Sequence, residues 1–435
     1  MNNKLFSYIE ACATPYQAIA HTAALLREQG YTELCEAAEW KPEAGKGYYV
    51  TRNGSSLIAF RMPVGEISGF MMAAAHCDSP CFKIKENAEL SGGGYVQLSA
   101  EKYGGMLCST WMDRPLSIAG RVLVRTEAGI ETRLVDLKEP AAIIPNVAIH
   151  MNRNANDGMN FNAAVDMLPL YGLEEAAGSF RGRIAAAAGV AEDDILTTDL
   201  FVYNPQKGAE WGGMISAPRL DDLQCAFAAL EGFLQAERSE YLVPVPESMP
   251  VYCLFDNEEV GSQTKQGAAS TFLRDVLTRV CEAAGMTPAD FRRAVANSFL
   301  VSCDNAHACH PNHPEYSDKN HKVFMNKGIV IKYNANQRYT SDAVSAALFR
   351  EVCREADAPV QMYANRADMP GGSTLGNIAN TQVSLNTVDI GLPQLAMHSA
   401  YETAGAEDTA HMVRALKVFY EKHLRMERDG VYKLN

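Results

Sequence analysis

Hydrophobic positions recur along this chain at two different spacings, and the switches between them divide it into elements. In "TPYQAIAHTAALLREQG" the apolar residues follow a helical period, with Thr14 placed as N-cap, Pro15 in the first turn and Gly30 as the stop. "GYYVTRNGSSLIAFRM" holds two strand-like runs around Asn53-Gly54, a pair that favours a tight hairpin turn. "GFMMAAA", residues 69 to 75, is apolar throughout, as expected of a strand covered on both faces.

From about residue 86 to about 215 the pattern changes. "SGGGYVQLSAEKYGG", "RVLVRTEAGIETRLVDL" and "AIIPNVAIHMN" suggest β-rich structure with tight turns, which reads as an insertion. After "SAPRLDDLQCAFAALEGFL", strand runs ("VYCLF", "SFLVSC", "VSLNTVDIG") alternate again with helical ones ("STFLRDVLTRVCEAAG", "SDAVSAALFREVCREA", "EDTAHMVRALKVFYEKH"). Such alternation predicts an α/β fold: a mixed, mostly parallel sheet flanked by helices, built from residues 1–85 and 216–435, with an inserted β-rich second domain at 86–215. The sequence contains no internal repeat, low-complexity tract or Gly-rich phosphate fingerprint.

Composition narrows the function. The 435 residues are 47% hydrophobic and 21% charged, enough for two folded domains and too apolar for disorder. A net charge of -13 opposes nucleic acid or an anionic membrane as the main partner, and an acidic ligand would need a local cation. The 11 cysteines are scattered without a CxxC pair, so neither a disulfide framework nor a zinc finger is expected, and a reducing cytoplasm fits. The sequence begins without a basic segment leading into an apolar core, and no stretch approaches a membrane span.

Ligands of open α/β sheets bind beyond the carboxyl ends of the strands. Polar residues stand at five such places: His76 and Asp78 after "MMAAA", Asp221 after "APRL", Glu258 and Glu259 after "VYCLF", Asp304 after "FLVSC", and His398 in "PQLAMHSAYET". Imidazole and carboxylate together are the ligand chemistry of zinc, manganese or cobalt. His76 and Asp78 share one side of an extended strand, so the aspartate can orient the imidazole through its other nitrogen. Each position also has a plainer reading. Asp221 and Asp222 suit a helix cap, Glu258-Glu259 a solvated strand end, and "DNAH" a turn. "HACHPNH" reads as a metal tract or as a loop.

Taken together and in order, "AAAHCDSPCFKIK", "STWMDRPLSIAGRV", "SAPRLDDLQCAFAAL", "FDNEEVGSQTKQGA", "SCDNAHACHPN", "NKGIVIKYNANQRY" and "PQLAMHSAYET" resemble the aspartyl aminopeptidase family of two-metal metallopeptidases. The resemblance runs from near residue 70 to the C-terminal helix. It implies that Asp221 bridges two divalent ions, zinc foremost with manganese or cobalt as alternatives. One ion would be completed by His76 and Asp304, the other by Glu259 and His398. It further implies that Glu258 is the general base acting on the attacking water, with Asp78 beside it in the catalytic group. In this reading the carboxylate pair at 258 and 259 divides its work between proton transfer and metal binding.

The same resemblance implies peptide substrates with a free N-terminus, preferably Asp or Glu, contacted by His150, His307, Lys332 and Tyr339. Lys332, between apolar strand neighbours, would be a fixed cation for a carboxylate; its plainer reading is an edge-strand lysine that deters aggregation. The resemblance also implies self-assembly of dimers into a twelve-subunit shell through the inserted domain, which would serve as dimerisation or lid domain. Two positions depart from the family pattern, Cys77 and Asp222. Cys77 is expected to point away from the metals into the core, and Asp222 to add negative charge beside the bridging carboxylate. Two other functions stay open at this point: a related two-metal hydrolase with different N-terminal or acyl-amino-acid specificity, and an inactive assembly protein of the same fold.

Overall fold

A computed structural model describes residues 1–237 and 248–435. Its centre is a nine-stranded sheet. The order across it is Thr32–Glu33, Gly47–Arg52, Ser56–Arg61, Ser248–Phe255, Gly69–His76, Phe299–Cys303, Asn386–Gly391, Ile329–Tyr333 and Val360–Ala364. Pairing is parallel through the middle, from Ser248–Phe255 to Asn386–Gly391. The hairpin, its junction with Ser248–Phe255, and the pair Ile329–Tyr333 with Asn386–Gly391 are antiparallel.

Strand Gly69–His76 shows why a continuous apolar run is needed. Met71, Ala73 and Ala75 point into the core on one face, against the helix Leu220–Glu237 and the C-terminal helix Asp408–Tyr420. Phe70, Met72 and Ala74 point to the opposite core, against Phe272–Ala283 and Pro288–Ala296. Alternate side chains serve two hydrophobic layers, so no position can be polar until the strand ends. That end is His76.

The predicted helix forms over Pro15–Glu28, with Gly30 left-handed beyond it. Thr14 has the extended N-cap backbone, but its hydroxyl donates to the Gln17 side chain rather than accepting from a backbone N–H. Asn53 and Gly54 both take positive φ in the hairpin turn, the geometry that matches strand twist. The helix Asn2–Ala11, which the sequence reading did not isolate, packs Leu5, Tyr8 and Ile9 into the first core.

A second, six-stranded sheet is entirely antiparallel. Its strands lie between Cys81 and Tyr203, and it has its own core around Phe82, Trp111, Leu116 and Ile118. Strands Ala209–Trp211 and Met214–Ala217, within the stretch expected to be inserted, pair instead with Glu402–Gly405 in a third sheet of five strands. This third sheet also holds Pro393–Leu395 and Ala306–His307. It therefore brings segments near 220, 307 and 400 to the carboxyl ends of the central strands. Among the described residues no helix is long and apolar enough to cross a membrane.

Candidate metal centre

The parallel register sets His76 opposite Phe255, so His76 and the Glu258-Glu259 turn leave the sheet side by side. Asp304 follows the neighbouring strand Phe299–Cys303. Asp221 stands at the start of Leu220–Glu237, and the Asp221-Asp222 peptide is cis. His398 sits at φ 66° between two strands of the third sheet. Six residues from five places in the sequence thus come together at the carboxyl ends of the central strands.

His76 Nε2 lies 3.5 Å from Asp221 Oδ1, while His398 Nε2 lies 3.2 Å from Asp221 Oδ2 and 3.3 Å from Glu259 Oε2. Each imidazole commits its other nitrogen to a backbone carbonyl: His76 Nδ1 is 3.0 Å from the Asp78 oxygen, and His398 Nδ1 is 2.6 Å from the Gly105 oxygen. A carbonyl can only accept, so Nδ1 carries a proton and Nε2 is the nitrogen turned to the carboxylates. On giving up its own proton to a metal, Nε2 would be the ligand atom.

The donor set fits divalent ions on two further grounds. The ring-to-carboxylate spacings are close to ~3.3 Å, the separation of two donors each about 2.0–2.1 Å from a shared tetrahedral ion. Among the described residues, Asp221 Oδ1, Asp222 Oδ1 and Glu259 Oε1 are buried without a hydrogen bond, which is costly for carboxylates unless a cation satisfies them. Among the described residues the possible ligand atoms fall into three overlapping groups: His76 with Asp221, Asp222 and Asp304; Asp221 with Glu259 and His398; and His76 with Glu258 and Glu259. Asp221 joins the first two. The sequence alone placed Asp222 only as a neighbour; its carboxylate lies in the first group and accepts the His76 backbone N–H at 3.3 Å.

Asp78 is placed differently from the simplest expectation. Its carbonyl, not its carboxylate, is the nearer partner of His76, for Oδ1 stands 3.4 Å from Nδ1. The carboxylate instead accepts the backbone N–H groups of Glu258 at 3.1 Å and Glu259 at 3.0 Å, and the Tyr103 hydroxyl at 2.7 Å. Asn257, left-handed at φ 64°, starts that turn and donates its amide to Tyr103. Asp78 thereby fixes the paired carboxylates in place. Cys77, between His76 and Asp78, is buried in the core as expected, its thiol near the carbonyls of Ser55 and Phe255.

Burial pushes the Glu258 carboxyl up to about 8, with Asp304, Asp78 and Asp221 adding to the effect and His76 opposing it. Asp222 is also driven upward, by burial first and by Asp304 and Asp221 next. Asp221 is held below the usual carboxylate range despite its burial, because both histidines face it.

Glu258 lines a cavity of about 120 Å³ together with His76, Asp221, Asp304 and His398. His307, Lys332 and Tyr339 complete its far side. Lys332 is buried in a strand flanked on both sides, so the edge-strand reading does not hold. Its Nζ donates to the Asn305 carbonyl at 2.8 Å, stands 3.5 Å from Asp304 Oδ1 and lies over the Tyr339 ring. His150 is exposed on a loop and is not among the residues lining this cavity.

Sequence reasoning missed several supporting residues. Glu402 accepts the backbone N–H of Asp221 at 3.0 Å and of His398 at 2.7 Å, joining two ligand positions 177 residues apart (398 − 221). Asn305 donates to the Leu220 carbonyl and to Gln394 beneath the centre. Asp389 accepts from the Thr340 backbone and the Thr374 hydroxyl, tying together the loops that carry Tyr339 and Thr374. Only the charge of Glu402 inside "SAYET" gave a signal, and it was a weak one.

With this geometry described, likeness to known proteins adds the family. Residues 8–420 match the family described as Aminopeptidase I zinc metalloprotease (M18). The chain is 43% identical over 430 residues to the "Probable M18 family aminopeptidase 2" of Clostridium novyi (strain NT), covering 96% of this chain and 98% of that protein. The "Cryo-EM structure of the Ape4 and Nbr1 complex" is similar with a TM-score of 0.93 at 34% identity, over 96% of this chain and 85% of that one. The "Structure of S. cerevesiae mApe1 dodecamer" is similar with a TM-score of 0.82 at 28% identity, over 96% of each. The chain belongs to the M18 family of zinc metallopeptidases. It is a metallo-aminopeptidase, a hydrolase acting on peptide bonds.

Proposed function

We propose that this enzyme removes acidic residues, Asp or Glu, from the N-termini of peptides, using two divalent ions that share Asp221. Buried Lys332, facing the cavity beside the metal ligands, is the observation that carries the acidic preference. Its ammonium has three donors. One is bound to Asn305 and another faces Asp304, which leaves a donor for a substrate carboxylate. A fixed positive charge facing the cavity favours an anionic side chain over a neutral one.

His76 and Asp304 would hold one ion, Glu259 and His398 the other, with zinc the first choice and manganese or cobalt the alternatives. Such ions supply Lewis acidity and make water a nucleophile near neutral pH. Glu258 takes the proton of the attacking water and delivers it to the departing amine. Its carboxyl is raised by burial in the metal-free chain, and the charge of bound ions would lower it toward the ionised form that a base requires. Asp78 keeps Glu258 aimed through the turn N–H, and Tyr339 closes the pocket beside Lys332.

His150 can reach a substrate in this cavity only if a neighbouring copy brings it there, because it is exposed outside the cavity of its own chain. Likeness to the S. cerevesiae mApe1 dodecamer supports assembly of this chain, in dimers that build a dodecamer through the second domain. The overall negative charge and the scattered thiols support a cytoplasmic location. A panel of aminoacyl amides differing only in the first residue tests the proposal. Asp and Glu amides should be cleaved fastest; faster cleavage of Leu, Ala or Lys amides, or of N-acylated ones, would favour the related hydrolase instead.

A further inference from the structure

A second cavity, about 280 Å³, adjoins the first and shares His307, Tyr363 and Met397 with it. These three side chains form a common wall, so a peptide whose first side chain points to Lys332 can pass over them as it leaves the metal centre. We infer that this second cavity receives the residue on the leaving side of the scissile bond, and that it selects an uncharged side chain with a flat or apolar surface. The inference rests on the aminopeptidase reading above and deepens it.

The lining accounts for that selectivity. His313 and Tyr316 stack with ring centroids 5.2 Å apart and planes 18° from parallel, and His310 lies 5.4 Å from His313. Because the rings stack on one another, their edges rather than their faces are left to line the cavity, and ring edges pack against flat and apolar groups. Met369 and Met397 are thioethers that adapt to the shape beside them. The charged groups of the wall already have partners. Arg366 makes a two-pronged contact with Asp368, at 2.7 and 2.6 Å, and reaches the Glu315 carbonyl at 2.5 Å. Asp318 accepts from His321 and from the Asn320 backbone. A charged side chain entering here would have to compete with Asp368 for Arg366 or with His321 for Asp318, whereas an apolar one would pack against the methionines and ring edges without that competition.

"HACHPNH", which the sequence left between a metal tract and a loop, thus acquires a use. His310 and His313 stand outside every metal-ligating group among the described residues. They are wall residues of this cavity.

The test compares metal-loaded wild type with Tyr316→Ala on four substrates: Asp α-amide, whose leaving group has no side chain, and the tripeptides Asp-Phe-Gly, Asp-Lys-Gly and Asp-Glu-Gly. Tyr316 is largely exposed, so its truncation leaves the core intact. For the wild type, kcat/KM on Asp-Phe-Gly should exceed that on Asp-Lys-Gly and Asp-Glu-Gly by roughly tenfold or more. In Tyr316→Ala the ratio of Asp-Phe-Gly to Asp α-amide should fall by about fivefold to tenfold, mainly through KM. Ratios that do not depend on the second residue, or that Tyr316→Ala leaves unmoved, would overturn the inference. Failure to cleave any of the four would instead count against the aminopeptidase reading.

Discussion

The Nζ of Lys332 stands 3.5 Å from Oδ1 of Asp304, and both side chains are buried. A buried cation thus lies between a candidate metal ligand and the cavity proposed for the substrate, where it can answer both. Replacing it by a neutral group of similar length separates the two roles. Lys332→Met should reduce kcat/KM on Asp and Glu amides by about 10- to 100-fold, the worth of a charge-assisted hydrogen bond. The Ala amide should lose much less. Equal losses on acidic and neutral amides would assign Lys332 to the metal centre alone.

Glu258 and Glu259 are adjacent and held by the same carboxylate of Asp78, and the proposal gives them different uses. Glu258→Gln should lower kcat by about 100- to 10,000-fold while leaving the metal content and KM close to wild type. Glu259→Gln should release metal, because its Oε2 shares Asp221 with His398. Elemental analysis of both purified variants checks the difference. Normal metal in Glu259→Gln together with depleted metal in Glu258→Gln would reverse the two assignments.

Glu402 touches no candidate substrate but binds the backbone of two ligand residues. In Glu402→Gln one of the two accepting oxygens becomes an amide NH2 group that confronts a backbone N–H. An unsatisfied buried group of this kind costs about 1–3 kcal/mol. Loss of a supporting contact to a metal ligand weakens affinity about 10- to 100-fold. Competition with a chelator of known affinity should show weaker metal retention in Glu402→Gln, and excess zinc should restore its kcat. Unchanged retention would confine Glu402 to a purely structural part.

Buried carboxylates give the metal-stripped protein a defined response to pH. Burial pushes Glu258 and Glu402 up to about 8 and Asp256 to about 7. Between about pH 4.5 and 8 the folded chain therefore holds protons that the unfolded chain has released, and stability falls as pH rises through that window. His398, raised to about 10 against the opposing effect of burial by its contacts with Asp221 and Glu259, adds the same slope above its ordinary value of 6.5. Asp221, shifted down, acts only below 3.8 and so outside the window. Chelator-treated protein should lose thermal stability from pH 5 to pH 8, and added zinc should restore more at pH 8. A melting temperature that climbs over this range without metal would contradict these protonation states.

Strand runs and their polar ends were readable from the sequence because two-sided burial permits no polar residue until a strand stops. His76, Asp304 and the Glu258-Glu259 pair follow from that rule. His398 and Asp221 were readable as polar residues in the right kind of place, yet only the third sheet brings them to the others. Glu402, Asn305, Asp389 and Tyr103 were not legible. Each acts through contacts with residues distant in sequence, and a buried carboxylate that accepts backbone N–H groups looks in the sequence like any other. Spacing placed Asp78 beside His76, as found, but could not show that the same carboxylate also receives the Glu258-Glu259 turn.

Diffraction from crystals grown with zinc, recorded on both sides of the zinc absorption edge, tests the central claim most directly. Two anomalous peaks should flank the Asp221 carboxylate, one beside His76 and Asp304, the other beside Glu259 and His398. A single peak, or peaks away from Asp221 at saturating zinc, would contradict it.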